Sequence, residues 1–173
     1  MLKASANLVG TLNNGWRQIT VQLDYERSGI ERLMGNYPMF DALARYMDGE
    51  TQHGKALGKD PVIKHRMAEL TAGFEVGRML IYRAAWMLEE GIVPNYESAM
   101  AKLYATEFQQ QLSDAAIMML GSYGDLISES KIAPLNGLAP AAYLFSPGLT
   151  LMAGTSEIMR NLIAQRGLGL PAK

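Results

Sequence analysis

Residues 60–91 read DPVIKHRMAELTAGFEVGRMLIYRAAWMLEEG, and this stretch decides the fold. From Ile63 its apolar positions run Met67, Leu70, Phe74, Gly77, Ile81, Ala84 and Leu88, in alternating steps of four and three. That spacing is the stripe of one long amphipathic helix facing a helical partner. Asp60 is a good N-cap, and Pro61 stands where a missing N–H costs the helix nothing. Gly91 marks the end, with Pro94 just beyond it.

A second long helix is predicted from about Pro94 to Leu120, carrying Leu103 or Tyr104, Phe108, Leu112, Ala115 and Met119 on one side. It ends in the glycine turn Gly121-Ser122-Tyr123-Gly124. Upstream, Trp16, Ile19, Leu23, Ile30 and Leu33 fall at helical spacing after the turn-rich Asn13-Asn14-Gly15, and a shorter helix is expected between Met39 and Met47. Asp48-Gly49 opens a polar connection that continues to Lys59. Residues 131–150 hold three of the seven prolines and read as an irregular crossover with a short helix around 140–145. Gly154-Thr155-Ser156 then precedes an amphipathic run through Ile158, Leu162 and Ile163 to Gly167, with the capping residue left open among the three. The first dozen residues carry little periodicity, and Leu8-Val9 before Gly10 reads as a trailing extended segment. The expected class is all-α: an up-and-down four-helix bundle with a short N-terminal extended segment.

Composition narrows the functional classes. The 173 residues are 49% hydrophobic and 19% charged, with a formal net charge of -1. One domain of this size buries roughly 68–70% of its unfolded surface, enough for a core without staples. The charge balance argues against nucleic acid as a partner, since phosphate binding needs a concentrated excess of Lys and Arg. Zero cysteines exclude disulfides, thiolate metal sites and a cysteine nucleophile. Apolar runs fall far short of the ~20 residues of a membrane span, and the N-terminus lacks a secretory pattern. A cytoplasmic protein is expected. The twelve methionines read as filler for irregular gaps between helices.

Glu26 is the most informative single residue. It interrupts the stripe Ile19, Leu23, Ile30, Leu33 without breaking its rhythm. A carboxylate among apolar neighbours is disfavoured in its charged form unless a cation compensates it. A raised carboxyl pKa suits a general base for carbon acids, whereas an Arg or Lys on a neighbouring helix would make Glu26 a structural ion pair. Asp24 and Arg27 stand three apart, a permissible helical ion pair that reads as surface. His53 and His65 lack a second ligand at metal spacing, so no metal site is expected. Glycines such as Gly121 and Gly124 allow close backbone approach to a ligand but more often simply end a helix. The small residues around Thr155 and Glu157 open a helix whose free amides and dipole suit an anionic or electron-rich ligand.

The segment GTSEIMRNLIAQRGLGLP, residues 154–171, resembles the C-terminal signature of flavin-dependent acyl-CoA dehydrogenases, roughly G-T-S-E/Q-I-x-R-N-x-I-A-x-R-x-L-G-L-P. Asn7-Leu8-Val9-Gly10 with Gly15-Trp16 resembles that family's passage out of its middle β-domain, and Asp24-Tyr25-Glu26-Arg27 a stretch of its first bundle helix. The resemblance implies that residues 1–12 are a trailing strand or linker of a β-domain and that 13–173 form the C-terminal helical bundle. The family's two preceding domains are not in this sequence. It further implies FAD as cofactor, shared with those domains, and an acyl-CoA substrate. The flavin takes hydride from the β-carbon while a glutamate removes the α-proton.

Of the family's two positions for that glutamate, the commoner is Ala153 here, and the alternative falls on Glu26. By the same resemblance Asp24 and Arg27 lie on the substrate side, and Gly121, Gly124, Thr155 and Glu157 near the cofactor. Departures accompany the match. Met118 stands where the family has a cofactor-binding amide, Ser122 replaces a glycine, and no R-x-x-F-G segment lies between Arg45 and Lys64. Two functions follow from this. One is the C-terminal domain of an acyl-CoA dehydrogenase, inactive as an isolated chain. The other is a non-catalytic helical module that scaffolds or completes a hetero-oligomeric dehydrogenase. Either implies a homo-oligomer, dimer or tetramer, or a partner dehydrogenase subunit, because a lone bundle would leave apolar surface uncovered.

Overall fold

The computed structural model describes residues 7–49, 51–52 and 55–172. Its longest helix, Pro61–Glu89, is the one its apolar stripe dictates. Asp60 caps it, its Oδ1 accepting from the amides of Val62 at 2.8 Å and Ile63 at 3.4 Å. Gly91 stops it at φ +73°: its own N–H bonds Leu88 O and that of Ile92 bonds Met87 O, the bond pair of a Schellman motif. Leu70, Phe74, Gly77, Ile81 and Ala84 are buried, and Met87 takes the last buried position in place of Leu88.

In chain order the helices are α1 (Gly15–Glu26), α2 (Glu31–Met34), α3 (Tyr37–Gly49), α4 (Pro61–Glu89), α5 (Glu97–Leu120), α6 (Leu138–Leu151) and α7 (Ser156–Leu162). A π-helical turn, Ile163–Gly167, extends α7. A two-residue antiparallel pair, β1 (Thr51–Gln52) with β2 (Lys55–Ala56), lies in the polar connection. Contacts between helices alternate in direction. Leu33 lies where a Cβ on Gly77 would stand, at 2.6 Å, while Tyr37 and Phe40 pack on Phe74. Tyr104 donates to Gly73 O at 3.0 Å, and Phe108 meets Phe74 edge-on at 4.9 Å. Lys102 reaches Thr150 O, and Ser113 bonds Ser146. Thus α2–α3, α4, α5 and α6 run up, down, up and down, and the chain is an all-α bundle with α7 packed on α5.

Three expectations need correction. The stripe through Glu26 is not one helix face. After Glu26 the i→i−4 ladder gives way to i→i−3 bonds, Gly29 N to Glu26 O and Arg32 N to Gly29 O, and α1 buries none of its residues. Gly29 favours this break because glycine is a poor helix former. The crossover holds a 14-residue helix, not a short one around 140–145. Pro140 falls in its first turn, where an N–H has no intrahelical partner, and only Pro147 interrupts the ladder. The predicted start of α5 at Pro94 moves to Glu97.

Residues 1–6 of the expected extended segment lie outside the described residues, as does His53. Residues 8–14 form no regular element, and Gln18 Nε2 donates to Val9 O at 3.0 Å. Among the described residues no helix is long and apolar enough to cross a membrane.

The helix α5 is buried on two sides. One carries the expected Phe108, Leu112, Ala115 and Met119; the other carries Ser98, Lys102, Thr106, Gln109 and Ser113. The polar members are satisfied locally or across helices. Thr106 and Ser113 hydroxyls bond carbonyls four residues back, and Gln109 bonds Asn36 and the Arg32 carbonyl.

Candidate functional site

The end of α1 is tied to the turn between α6 and α7. Arg27 is buried; its Nε donates to Ala153 O at 3.1 Å and its Nη1 to Asp24 Oδ1 at 3.3 Å. Arg166 approaches the other Asp24 oxygen at 3.7 Å. The Asp24–Arg27 pair is therefore interior, not the surface pair its spacing indicated. Burial pushes the Asp24 carboxyl above its ordinary value, against the pull of Arg166 and Arg27. Burial likewise lowers Arg27.

Next to them, Glu26 accepts a hydrogen bond from Arg32 Nη2 at 2.5 Å, with its side chain 47% exposed. The apolar surroundings expected of it are absent, because the outer stripe of α1 faces outward, Trp16 being 83% exposed. Its partner is the arginine of a neighbouring helix.

Across the turn stands a residue the sequence did not single out. Lys102 is fully buried, and its Nζ donates to Gly154 O at 2.6 Å and Thr150 O at 3.4 Å. Burial, then Arg32 and Arg27, lowers its pKa from 10.5 to about 8, against Glu107 and Glu157. The signal for it was a run of polar residues at helical spacing on α5, which a count of apolar positions ignores. The sign of its titration is testable. Between about pH 8 and 10.5 the folded chain binds fewer protons at Lys102 than the unfolded chain, so stability rises with pH there. Urea unfolding across that window should show this rise in the native chain and lose it in Lys102→Met. Burial raises the Tyr104 hydroxyl, which acts in the opposite sense at the upper end of this window, and the difference between the two chains removes it.

The cofactor candidates fall in two places. Thr155 is the cap of α7, accepting from Ile158 N at 3.3 Å, and Glu157 is exposed in its first turn. Beside them lies a 380 Å³ cavity bordered by Gln110, Gln111, Thr150 and Ser156. The Ser156 hydroxyl is buried there without a partner.

Gly121 and Gly124 lie beyond the far end of α5, at least ten residues or about 15 Å of helix from that cavity. Gly121, at φ +58° and ψ −139°, turns the chain, and a Cβ on Gly124 would stand 2.7 Å from Ile117 O. These glycines therefore serve the turn. Met118, beside them, is 75% exposed.

The four candidates offer no cation and one carboxylate, and Arg160 at the cavity is paired with Glu107 at 2.8 Å. That donor set does not fit a flavin diphosphate within one chain. Among the described residues, no three His, Asp or Glu side chains gather as a metal site.

Comparisons with known proteins agree with this architecture. Residues 13–168 match the family described as acyl-CoA dehydrogenase, C-terminal domain. The chain is 34% identical over 125 residues to benzylmalonyl-CoA dehydrogenase of Aromatoleum aromaticum, covering 72% of this chain and 31% of that protein. It therefore spans about a third of that relative's length. Among solved structures it is similar to an acyl-CoA dehydrogenase from Geobacillus kaustophilus, with TM-score 0.81 and 28% identity, covering 95% of this chain and 41% of that one. It is also similar to the ChsE4-ChsE5 complex from Mycobacterium tuberculosis, with TM-score 0.82 and 26% identity, covering 97% and 44%. With its bundle topology and the match over 13–168, the chain belongs to the acyl-CoA dehydrogenase family, as its C-terminal helical domain.

Proposed function

We propose that this domain serves α,β-desaturation of an acyl-CoA thioester by contributing Glu26 as the base that takes the α-proton. One contact supports the reading best. Arg27, the neighbour of Glu26, bonds the carbonyl of Ala153, so the resemblance's two alternative base positions lie at one junction of the fold. A carboxylate supplied from α1 can then serve where Ala153 cannot. Arg32 donates to one Glu26 oxygen and fixes the carboxylate's position at the end of α1. As a base Glu26 would have to leave this partner or use its other oxygen. Asp24 and Arg27 brace the substrate side, Arg27 through Nε to Ala153 O and through Nη1 to Asp24. The candidates within this chain do not fit FAD; held by other parts of the enzyme, it would supply the hydride acceptor. An isolated chain is accordingly inactive, because proximity and orientation supply much of the rate.

A partner subunit or second copy is part of this proposal. The helix α6 contains no ionisable side chain except Tyr143, yet Leu144 is 77% and Phe145 62% exposed. Apolar surface of this kind marks an interface. The same observation, with the poor flavin fit, favours a second reading: a non-catalytic module that completes a hetero-oligomeric dehydrogenase.

Acyl-CoA-dependent dye reduction tests both, and Glu26→Gln within the complex separates them: lost turnover supports the base, full turnover the non-catalytic module. The chain copurified with its native partners should turn over, and the chain alone should neither turn over nor bind FAD saturably. Activity of the partners undiminished without this chain overturns the catalytic role. Light scattering should show a dimer or tetramer, or a complex with the partner; a monodisperse monomer at high concentration with no partner overturns the interface.

A further inference from the structure

We infer that Lys102 is a positioning residue which, with Arg27, holds the Ala153–Gly154 turn in its left-handed form and so sets where α7 begins. Ala153 has φ +57° and Gly154 φ +105°. A side chain at positive φ crowds its own backbone, so a non-glycine residue stays there only where its surroundings dictate it. The surroundings here are two buried cations. Arg27 Nε donates to the carbonyl of Ala153, and Lys102 Nζ to the carbonyl of Gly154, one from the end of α1 and one from the second turn of α5. The ammonium also reaches Thr150 O, in the last turn of α6, where carbonyls lack intrahelical partners. A cation is favoured at that end of a helix by the backbone dipoles.

The turn has little slack. Only Met152–Thr155 separate α6 from α7, and a Cβ on Gly154 would stand 2.6 Å from Met159 Cε. Among the described residues no carboxylate forms an ion pair with Lys102. A buried charge so placed is costly, and methionine would fill the space without that cost. What the ammonium adds is direction: two carbonyls must face it. Thr155 and Glu157 follow the turn immediately, so their placement against α1 depends on it. The inference concerns the turn itself and holds whether or not Glu26 is the base.

Hydrogen exchange of the full chain at pH 7 tests it. In Lys102→Met, the bonded amides flanking the turn, those of residues 150–152, 158 and 159, should exchange about tenfold faster or more, with residues 70–81 of α4 within about twofold of the native chain. Adding Ala153→Gly, which removes the penalty of positive φ, should recover at least about threefold of that protection. A side chain that only filled the core would show no such coupling to Ala153. Unchanged exchange at residues 150–152, 158 and 159, equal acceleration throughout, or no recovery overturns the inference. Should Lys102→Met fail to fold, Ala153→Gly alone decides. Release of a strained turn should raise Tm by about 2–4 °C, and an unchanged or lower Tm overturns the inference.

Discussion

Glu26→Gln is expected to lower acyl-CoA-dependent turnover of the assembled enzyme by about 10²–10⁴-fold, the usual contribution of a positioned general base. Glutamine keeps the shape and can still accept from Arg32, but it cannot take a proton. Because proton removal belongs to the transition state, kcat and kcat/KM should fall together with KM little changed. Stability should change little, since a half-exposed ion pair contributes about 0–1 kcal/mol. Stopped-flow reduction kinetics with unfolding curves of the same preparations check both halves. Full turnover in the glutamine variant would leave Glu26 as the ion pair with Arg32 and nothing more.

The second large effect concerns stability. Phe108 is buried on α5, edge-on to Phe74 at 4.9 Å and stacked on Tyr104 at 5.9 Å. Its ring also occupies the space left by the missing side chain of Gly73. Truncating it removes the transfer energy of the ring and leaves a cavity, together about 3–5 kcal/mol. The site relaxes poorly because α5 is held on both sides, so the upper part of that range is expected. In a chain of this size that lowers Tm by roughly 10 °C. Val62→Ala, at an exposed position of α4, should stay within about 0.5 kcal/mol in the same urea titration.

Much of this was legible in the sequence, for local reasons. Asp60, Pro61 and Gly91 act within a turn of where they stand, so α4 could be bounded from its own residues. The helix α6 could not, since proline arithmetic hides the fact that Pro140 is harmless in a first turn. Glu26 stood out against an apolar stripe, but the stripe itself was misleading: an outward face with Trp16 exposed has the same rhythm as an inward one. Arg27 and Asp24 were found as a pair, whereas their burial depends on Ala153, 126 residues away from Arg27. Lys102 went unnoticed because a lysine on a helix is ordinarily a solvated residue, and only the arrival of the α6–α7 turn makes it an interior one.

The charge-free face of α6 has a consequence for handling the protein. An association sealed by such a surface gives dissolved salt almost nothing to screen, so sodium chloride should hardly loosen it. Its driving force is the release of water from apolar surface, which weakens on cooling and strengthens with excluded salts such as sulfate. Assemblies held this way loosen on ice and tighten on warming. A sample stored cold should then hold a larger share of separated subunits than the same sample at room temperature.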